Sequence, residues 1–258
     1  MGAAVTTSFE NVPAPSVQAY MIYLVLDTSK SMWLPRQHGG PESVPLNQFV
    51  RRIPRMLRVL AEHPVTNKLA SISVLAFNDR PEILRPISSL EQAATIARPS
   101  RGFGTDYASM LKFLVGQHRK DVREVKKSRA RNDYGVDIAR PWIFVITDGR
   151  AYAQKQDQAD SEWLRERERL IDPPIEARIV TMGLPGADDD ALWLLATGDE
   201  TGRRNAFIAR DPEHSDELSR SVIEAIGSSI STSAGSGTLT IKTPVGMDRV
   251  EGPRRARD

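Results

Sequence analysis

The feature that most constrains the fold is a set of apolar strands that end abruptly at polar residues. Residues 20–26 read YMIYLVL and residues 142–147 read WIFVIT; continuous β-prone runs of this kind are typical of strands buried on both faces. Residues 69–77 (LASISVLAF) alternate and are rich in β-branched residues, which predicts a third strand. These segments predict a buried, mostly parallel sheet.

Helical patterns separate the strands. Apolar residues recur at helical intervals at Leu46, Phe49, Val50, Ile53, Met56, Leu57 and Leu60. Further helices are predicted from residue 107 and over 156–170, 190–196 and 213–230, and further strands near 83–84, 177–182 and 206–208. Because strands and helices alternate, we predict an α/β fold with a doubly wound, mostly parallel central sheet and helices on both faces.

The chain divides into three parts. Residues 1–18 are small and polar and are predicted to form an N-terminal arm, and residues 19–231 the α/β domain. Residues 232–258 are rich in serine and glycine and then basic, which predicts a flexible C-terminal tail. Within it, residues 239–242 could add one strand.

Composition argues against several function classes. Lys plus Arg (35) nearly balances Asp plus Glu (33), and no aromatic residues interleave with the basic residues at 119–131 and 254–257, so we expect a solvated helix face rather than nucleic-acid binding. The chain has no cysteine, which excludes disulfides and fits a reducing compartment. The apolar runs are shorter than the ~20 residues that cross a bilayer, and residues 1–15 lack a signal peptide. We therefore predict a cytoplasmic protein without membrane contact.

Three short polar segments carry the candidate chemistry. They read Asp27-Thr-Ser-Lys-Ser31, Gly104-Thr105-Asp106 and Thr147-Asp148-Gly149. The first and third follow predicted central strands, and the second opens a helix. Ligand sites in open parallel sheets form outside the carboxyl ends of the strands, at the point where the strand order reverses. We therefore expect the three segments to converge.

The candidate ligands in these segments are all oxygen donors. They are Asp27, Ser29, Ser31, Thr105 and Asp148. Mg²⁺ prefers such a set and Mn²⁺ tolerates it, so the sequence predicts a site for Mg²⁺ or Mn²⁺. The alternative interpretation is that the aspartates only cap helices and turns. The four histidines (His38, His63, His118 and His214) lack metal-ligand spacing and are expected at the surface or in loops.

The set Asp27-x-Ser29-x-Ser31, Thr105 and Asp148 resembles the metal-ion-dependent adhesion site (MIDAS) of von Willebrand factor A (vWA) domains. The resemblance covers residues 20–230 and is closest to bacterial cytoplasmic proteins of the tellurium-resistance TerY type. It implies that both serines coordinate the metal directly, that Thr105 does so in the ligand-bound form, and that Asp27 and Asp148 act through water. An Asp or Glu carboxylate of a protein partner would fill the sixth position. Lys30 departs from the family, which often has glycine there.

The resemblance implies an interaction module without enzymatic activity, acting in a bacterial stress or signalling complex. It also implies a protein kinase and a PP2C-type phosphatase as candidate partners. We expect the partner to contact residues around the site, namely Lys30, Met32, Trp33, Phe103, Tyr107 and Arg150. Aromatic residues, methionine and arginine are enriched in protein interfaces.

Two other functions remain open from the sequence. A strand-terminal aspartate beside Mg²⁺ could be the nucleophile of a phosphoryl-transfer enzyme, although Ser29 stands where haloacid-dehalogenase phosphatases need a second aspartate. Nucleotide-binding strings of the GxxxxGK[ST] or GxGxxG type are absent. The third possibility is a scaffold whose metal site is vestigial and whose basic helix is the interface.

Overall fold

The computed structural model describes residues 16–35, 44–92, 94–130, 135–211 and 215–252. Its strands are β1 Ser16–Asp27, β2 Ala70–Phe77, β3 Glu82–Ser89, β4 Gly135–Ile138, β5 Trp142–Thr147, β6 Tyr152–Ala153, β7 Gln156–Asp157, β8 Arg178–Gly183, β9 Ala206–Ile208 and β10 Asp248–Arg249. Its helices are α1 Lys30–Trp33, α2 Pro45–Glu62, α3 Pro64–Leu69, α4 Tyr107–Arg129, α5 Asp160–Ile171, α6 Asp189–Leu195 and α7 Ser215–Ser236.

The central sheet has the strand order β10-β9-β8-β5-β1-β2-β3, and β4 pairs with the first part of β1. Strands β9, β8, β5, β1 and β2 run parallel, while β3 and β10 lie antiparallel at the two edges. The chain builds outward from β1 to β2 and β3 on one side and later to β5, β8 and β9 on the other. The order therefore reverses between β1 and β5, and the predicted doubly wound α/β fold is confirmed.

Both faces of the sheet are covered, as β1 shows. Its side chains alternate between one core that includes residues of α2 and α7 and another that includes residues of α4 and α5. Tyr20 and Ile22 belong to the first core, whereas Met21 and Tyr23 belong to the second. Because β1 is buried on both faces, its sequence is apolar without interruption.

The helices follow their predicted apolar stripes with two adjustments. Helix α2 begins at Pro45, where a missing backbone N–H costs nothing, and it continues through Pro54. The predicted helix over 156–170 begins later, at Asp160, because Gln156–Asp157 pairs with Tyr152–Ala153 in a small hairpin. In the described part of the chain, no helix combines the length and apolar character needed to cross a bilayer.

The C-terminal region differs from the prediction. Helix α7 runs to Ser236, across the predicted boundary at 231, and residues 239–242 form no strand. Instead they lie along α7, where the backbone N–H groups of Thr240 and Lys242 donate to the hydroxyls of Ser233 (2.8 Å) and Ser229 (2.9 Å). Strand β10 then pairs with β9, so the tail is packed as far as it is described. The predicted arm also loses residues 16–18 to β1; residues 1–15 and 253–258 lie outside the described residues.

A buried polar cluster lies between β1 and α4 and corrects the expectation for one histidine. His118 is only 8% exposed, and its Nδ1 lies 3.5 Å from the Tyr23 hydroxyl. That hydroxyl donates to the Asp121 carboxylate (3.1 Å), which also accepts from Gln117 (2.7 Å). Burial lowers the pKa of His118 from 6.5 to about 4 and raises that of Asp121.

This cluster predicts a pH-dependent stability. The unfolded chain takes up a proton at His118 near pH 6.5 whereas the folded protein resists protonation down to about pH 4, so stability is lost as pH falls through this window. We expect His118→Gln to reduce that loss by about 2 kcal/mol, as measured by urea unfolding at pH 7 and pH 4.5. Asp121 titrates in both proteins and cancels in the comparison. Equal losses in the two proteins would contradict the prediction.

Candidate metal site

The sheet brings the three polar segments together at the point where its strand order reverses. Asp27 is the last residue of β1, and Asp148 follows β5, its neighbour in the sheet. Thr105 is held nearby by an antiparallel bridge to Tyr152, with backbone hydrogen bonds of 2.8 and 3.1 Å. The predicted convergence of Asp27, Thr105 and Asp148 is therefore present in the structure.

Asp27 occupies the centre of the site and is fully buried. Its Oδ1 accepts from the backbone N–H of Ser29 (2.8 Å), and its Oδ2 accepts from the hydroxyl of Thr147 (2.6 Å). The Thr105 hydroxyl lies 3.4 Å from the same Oδ2. These contacts fix the carboxylate so that its orientation does not depend on solvent.

The two serines and Asp148 form a second chain of contacts beside it. The hydroxyls of Ser29 and Ser31 lie 3.2 Å apart, and the Ser31 hydroxyl donates to Asp148 Oδ1 (2.7 Å). The extended backbone of Ser29, at φ −64° and ψ 170°, leads into α1 and so turns Ser31 back toward Asp148. All five predicted ligands are thus grouped at one edge of the sheet.

Gly149 makes room for this arrangement. A Cβ at this position would lie 2.7 Å from Thr105 Oγ1 and 3.5 Å from Asp27 Oδ2. The first distance is well below van der Waals contact, so any side chain here would displace Thr105. The backbone N–H of Gly149 donates to Thr147 Oγ1 (3.1 Å), which in turn donates to Asp27.

The electrostatics of the site favour a cation. Burial, together with the charge of Asp148, raises the pKa of Asp27 to about 7, against hydrogen bonds from Thr147 and Ser29 that lower it. The largest causes of this shift include no cationic side chain. Two carboxylates and three hydroxyls grouped in this way fit a hard divalent ion, because its charge would offset the buried negative charge.

The donor set also explains what kind of site this is. In the described part of the chain, no three His, Cys, Asp or Glu side chains are grouped as metal ligands. A metal here would depend on Ser29, Ser31 and Thr105 as well as on the carboxylates. Hydroxyl and carboxylate oxygens suit Mg²⁺ or Mn²⁺ better than softer ions.

Four of the six predicted contact residues are accessible around the site. Lys30 is exposed, and Phe103 is 79% exposed. Arg150 is exposed and forms an ion pair with Asp157 (3.2 Å). Trp33 is partly buried, and its Nε1 donates to the Thr28 carbonyl (3.0 Å).

The other two predicted contact residues, Met32 and Tyr107, lie inside the protein with none of their surface exposed. Met32 is the buried residue of α1 and packs in the core. The ring of Tyr107 packs edge-on against Trp163, and its hydroxyl donates to the Gly149 carbonyl (3.3 Å). Because neither side chain reaches the surface, the expectation that they contact a partner is wrong.

Several residues that hold the site were not among the predicted ones. Thr147 orients Asp27, and its signal is a hydroxyl residue at the end of an otherwise apolar strand. Asn78 and Asp79 follow β2, the other neighbour of β1 in the sheet. Asn78 Nδ2 donates to Thr28 Oγ1 (3.0 Å), and the Asp79 carboxylate accepts from the N–H groups of Phe103 (2.7 Å) and Gly104 (3.0 Å). The position of these polar residues, directly after a third strand of the predicted sheet, was a signal in the sequence that they lie near the site.

Comparisons with known proteins relate the chain to others by fold. No protein-family model matches the sequence, and no curated protein matches it. A von Willebrand factor type A protein from Catenulispora acidiphila superposes with a TM-score of 0.50 at 15% identity, covering 82% of this chain and 43% of that one. Proximal thread matrix protein 1 of the mussel byssus, solved with zinc occupying its MIDAS motif, gives 0.52 at 15% identity, covering 81% and 48%.

A third neighbour is the D319A mutant of the PilB minor pilin from Streptococcus sanguinis, with a TM-score of 0.52, 10% identity and coverage of 88% and 65%. This chain spans less than half the length of the Catenulispora and mussel proteins. At these identities the comparisons bear on the fold. The mixed α/β chain, with its mostly parallel sheet and helices on both faces, has the fold of von Willebrand factor A domains.

Proposed function

We propose that this chain is a metal-dependent protein-interaction module that holds a carboxylate of a partner protein through a divalent ion. The observation that carries the proposal is the grouping of Asp27 and Asp148 with three hydroxyls at the point where the strand order reverses. The shared fold and the zinc-occupied MIDAS of the mussel protein support it. Mg²⁺ is the proposed ion because all the donors are hard oxygens.

The residues that would hold the ion are Asp27, Ser29, Ser31, Thr105 and Asp148. A bound ion would supply a positive charge able to attract an external carboxylate. Three of the five donors are neutral hydroxyls. If the two aspartates act through water, as the resemblance implies, only neutral groups of the chain would touch the ion, which would leave it able to attract an external carboxylate. The hydrogen bonds from Thr147 and Ser29 keep Asp27 in place, which lowers the cost of ordering the site when a ligand arrives.

The surface around the site has features of a protein interface. Phe103 is exposed beside Thr105, and the Arg101 guanidinium lies 4.6 Å above the Trp33 ring. Lys30 and Arg150 add positive charge. Exposed aromatic side chains next to arginine are typical of residues that contribute most to binding, and the positive charge would attract an acidic segment.

The burial of Asp27 favours binding over phosphoryl transfer. An attacking carboxylate must reach the phosphorus atom, whereas both oxygens of Asp27 accept hydrogen bonds and none of its surface is exposed. The alternative in which the basic helix is the interface is weakened by Arg129. Its guanidinium donates to the Ala70 carbonyl (2.8 Å) and so stabilises the fold. The TerY-type role, the kinase and phosphatase partners and the cytoplasmic location stay predictions from the sequence.

Carboxylate linkage tests the proposal. Because the effects of two ligands on each other are reciprocal, a carboxylate that binds at the ion must raise the affinity for Mg²⁺. We expect N-acetylglutamate amide to strengthen Mg²⁺ binding about fivefold or more, as measured by titration calorimetry. N-acetylglutamine amide, which has the same shape without the charge, should leave it unchanged. Equal effects of the two compounds would contradict a carboxylate-binding role.

A further inference from the structure

A pocket lined by arginine lies at the end of the sheet opposite the metal site. It has a volume of about 330 Å³ and is formed by the end of α5, the start of β8 and the segment after α6. The strand β5, whose ends lie towards the pocket and the metal site, spans six residues, which separates the two by roughly 16 Å along the strand direction. Among the described residues, its charged lining consists of Arg140, Arg167, Arg178, Arg204 and Glu176.

Two of these arginines are fixed in the wall by backbone carbonyls. Arg167 is only 6% exposed; its Nε donates to the Leu195 carbonyl (2.8 Å) and its Nη2 to the Ala196 carbonyl (2.7 Å). Arg204 donates to the same Ala196 carbonyl (2.6 Å), and its guanidinium lies 4.7 Å above the Trp193 ring. These carbonyls end helix α6 and orient both guanidiniums, but they carry no net charge to neutralise them.

The lining of the pocket carries more positive than negative charge. Burial, followed by the charge of Arg204, lowers the pKa of Arg167 to about 10, although Glu168 and Asp172 partly oppose this. Arg140 pairs with Glu176 at 3.2 Å. That pair leaves Arg167, Arg178 and Arg204 without an acidic partner within the lining.

Arg178 is the residue best placed to bind a ligand. In the described part of the chain its guanidinium forms no hydrogen bond or ion pair, and it lines both this pocket and the neighbouring cavity. That cavity has two acidic residues in its described lining: Asp199, which accepts from Thr201 (2.6 Å) and pairs with Arg249 (3.3 Å), and the exposed Glu200, which forms no ion pair with Arg178. The donors of Arg178 are therefore available to an external group.

We propose that this pocket binds a dianionic oxyanion, phosphate or a phosphate monoester, with Arg178 as the principal ligand and Arg167 and Arg204 beside it. Guanidinium groups bind phosphate through two parallel hydrogen bonds. A dianion offsets more of the excess positive charge than a carboxylate does. The volume is at the small end of ligand pockets, which suits a single phosphoryl group with a short substituent. This site does not depend on the metal site.

Titration calorimetry with inorganic phosphate and with O-phosphoserine tests the proposal. A chelator in the buffer removes divalent ions, so that phosphate cannot bind through the metal site. We expect saturable binding that Arg178→Gln weakens about tenfold or more. The control Arg58→Gln makes the same charge change at an exposed position on α2 outside the pocket and should bind like the wild type.

The site is supported if either probe binds and Arg178→Gln, but not Arg58→Gln, weakens that binding. Tighter binding of inorganic phosphate would identify free phosphate as the ligand, and tighter binding of O-phosphoserine would identify a phosphorylated compound. Circular dichroism checks that the variant is folded. Equal binding by both variants, no saturable binding by the folded wild type, or equally strong binding of chloride would each overturn the proposal.

Discussion

Asp27→Asn is expected to abolish the rise in thermal stability that Mg²⁺ gives to the wild-type protein. A ligand present at 100 times its dissociation constant stabilises a protein by about 2.7 kcal/mol, and this gain should vanish in the variant. The asparagine side chain would keep an oxygen for the Ser29 N–H but would lack the charge that attracts the cation. Without metal, the variant should be at least as stable as the wild type at pH 8, because it no longer buries a charge beside Asp148.

Thermal unfolding with Mg²⁺ and with a chelator measures both effects. Asp172→Asn is the matched control, since Asp172 is exposed and precedes β8 at the other end of the sheet. It should retain the full stabilisation by Mg²⁺. If Asp27→Asn were stabilised by Mg²⁺ as strongly as the wild type, the assignment of Asp27 to the site would be wrong.

Gly149→Ala is expected to weaken Mg²⁺ binding about tenfold or more while the domain stays folded. Its new Cβ would lie 2.7 Å from Thr105 Oγ1 and must push that hydroxyl away from Asp27. Loss of one well-placed oxygen ligand and distortion of its neighbours have an effect of this size on metal affinity. Calorimetric titration of Mg²⁺ gives the change directly.

Gly116→Ala provides the control for this substitution. Gly116 lies within α4, and a Cβ added there would have no neighbouring atom within 4 Å, so alanine fits without displacement. It should leave Mg²⁺ affinity unchanged and stabilise the helix by roughly 0.5–1 kcal/mol. Unchanged affinity in Gly149→Ala as well would mean that Thr105 is not a ligand.

The fold was predictable from the sequence where the hydrophobic pattern is compatible with only one kind of secondary structure. The run at residues 142–147 is apolar because β5 is buried on both faces, and its bounds agree with the structure. The approach of Asp27 and Asp148 was also predictable, since the ends of neighbouring parallel strands must lie close together. The helical stripe from Leu46 to Leu60 likewise has one buried side in α2.

Other features depend on contacts that are distant in sequence. Tyr107 looks like a contact residue in its motif, yet its burial results from packing against Trp163 of α5. The tail after α7 alternates apolar and polar residues at 239–242, as a strand would, yet Leu239 and Ile241 pack against the core while the backbone bonds to the buried hydroxyls of Ser229 and Ser233. His118 lies at helical spacing from Leu111 and Leu114 on the buried side of α4, but its neighbours do not show that it would meet Tyr23. Local patterns do not encode such pairings.

The central claim, that the site binds a divalent ion, is tested most directly by titrating the wild-type protein with Mg²⁺ in a calorimeter. We expect saturable binding of one ion per chain and loss of that binding in Asp27→Asn. Mn²⁺ should bind at the same site and compete with Mg²⁺ because it accepts the same oxygen donors. Absence of binding by either ion to the folded protein, with N-acetylglutamate amide present, would contradict the account.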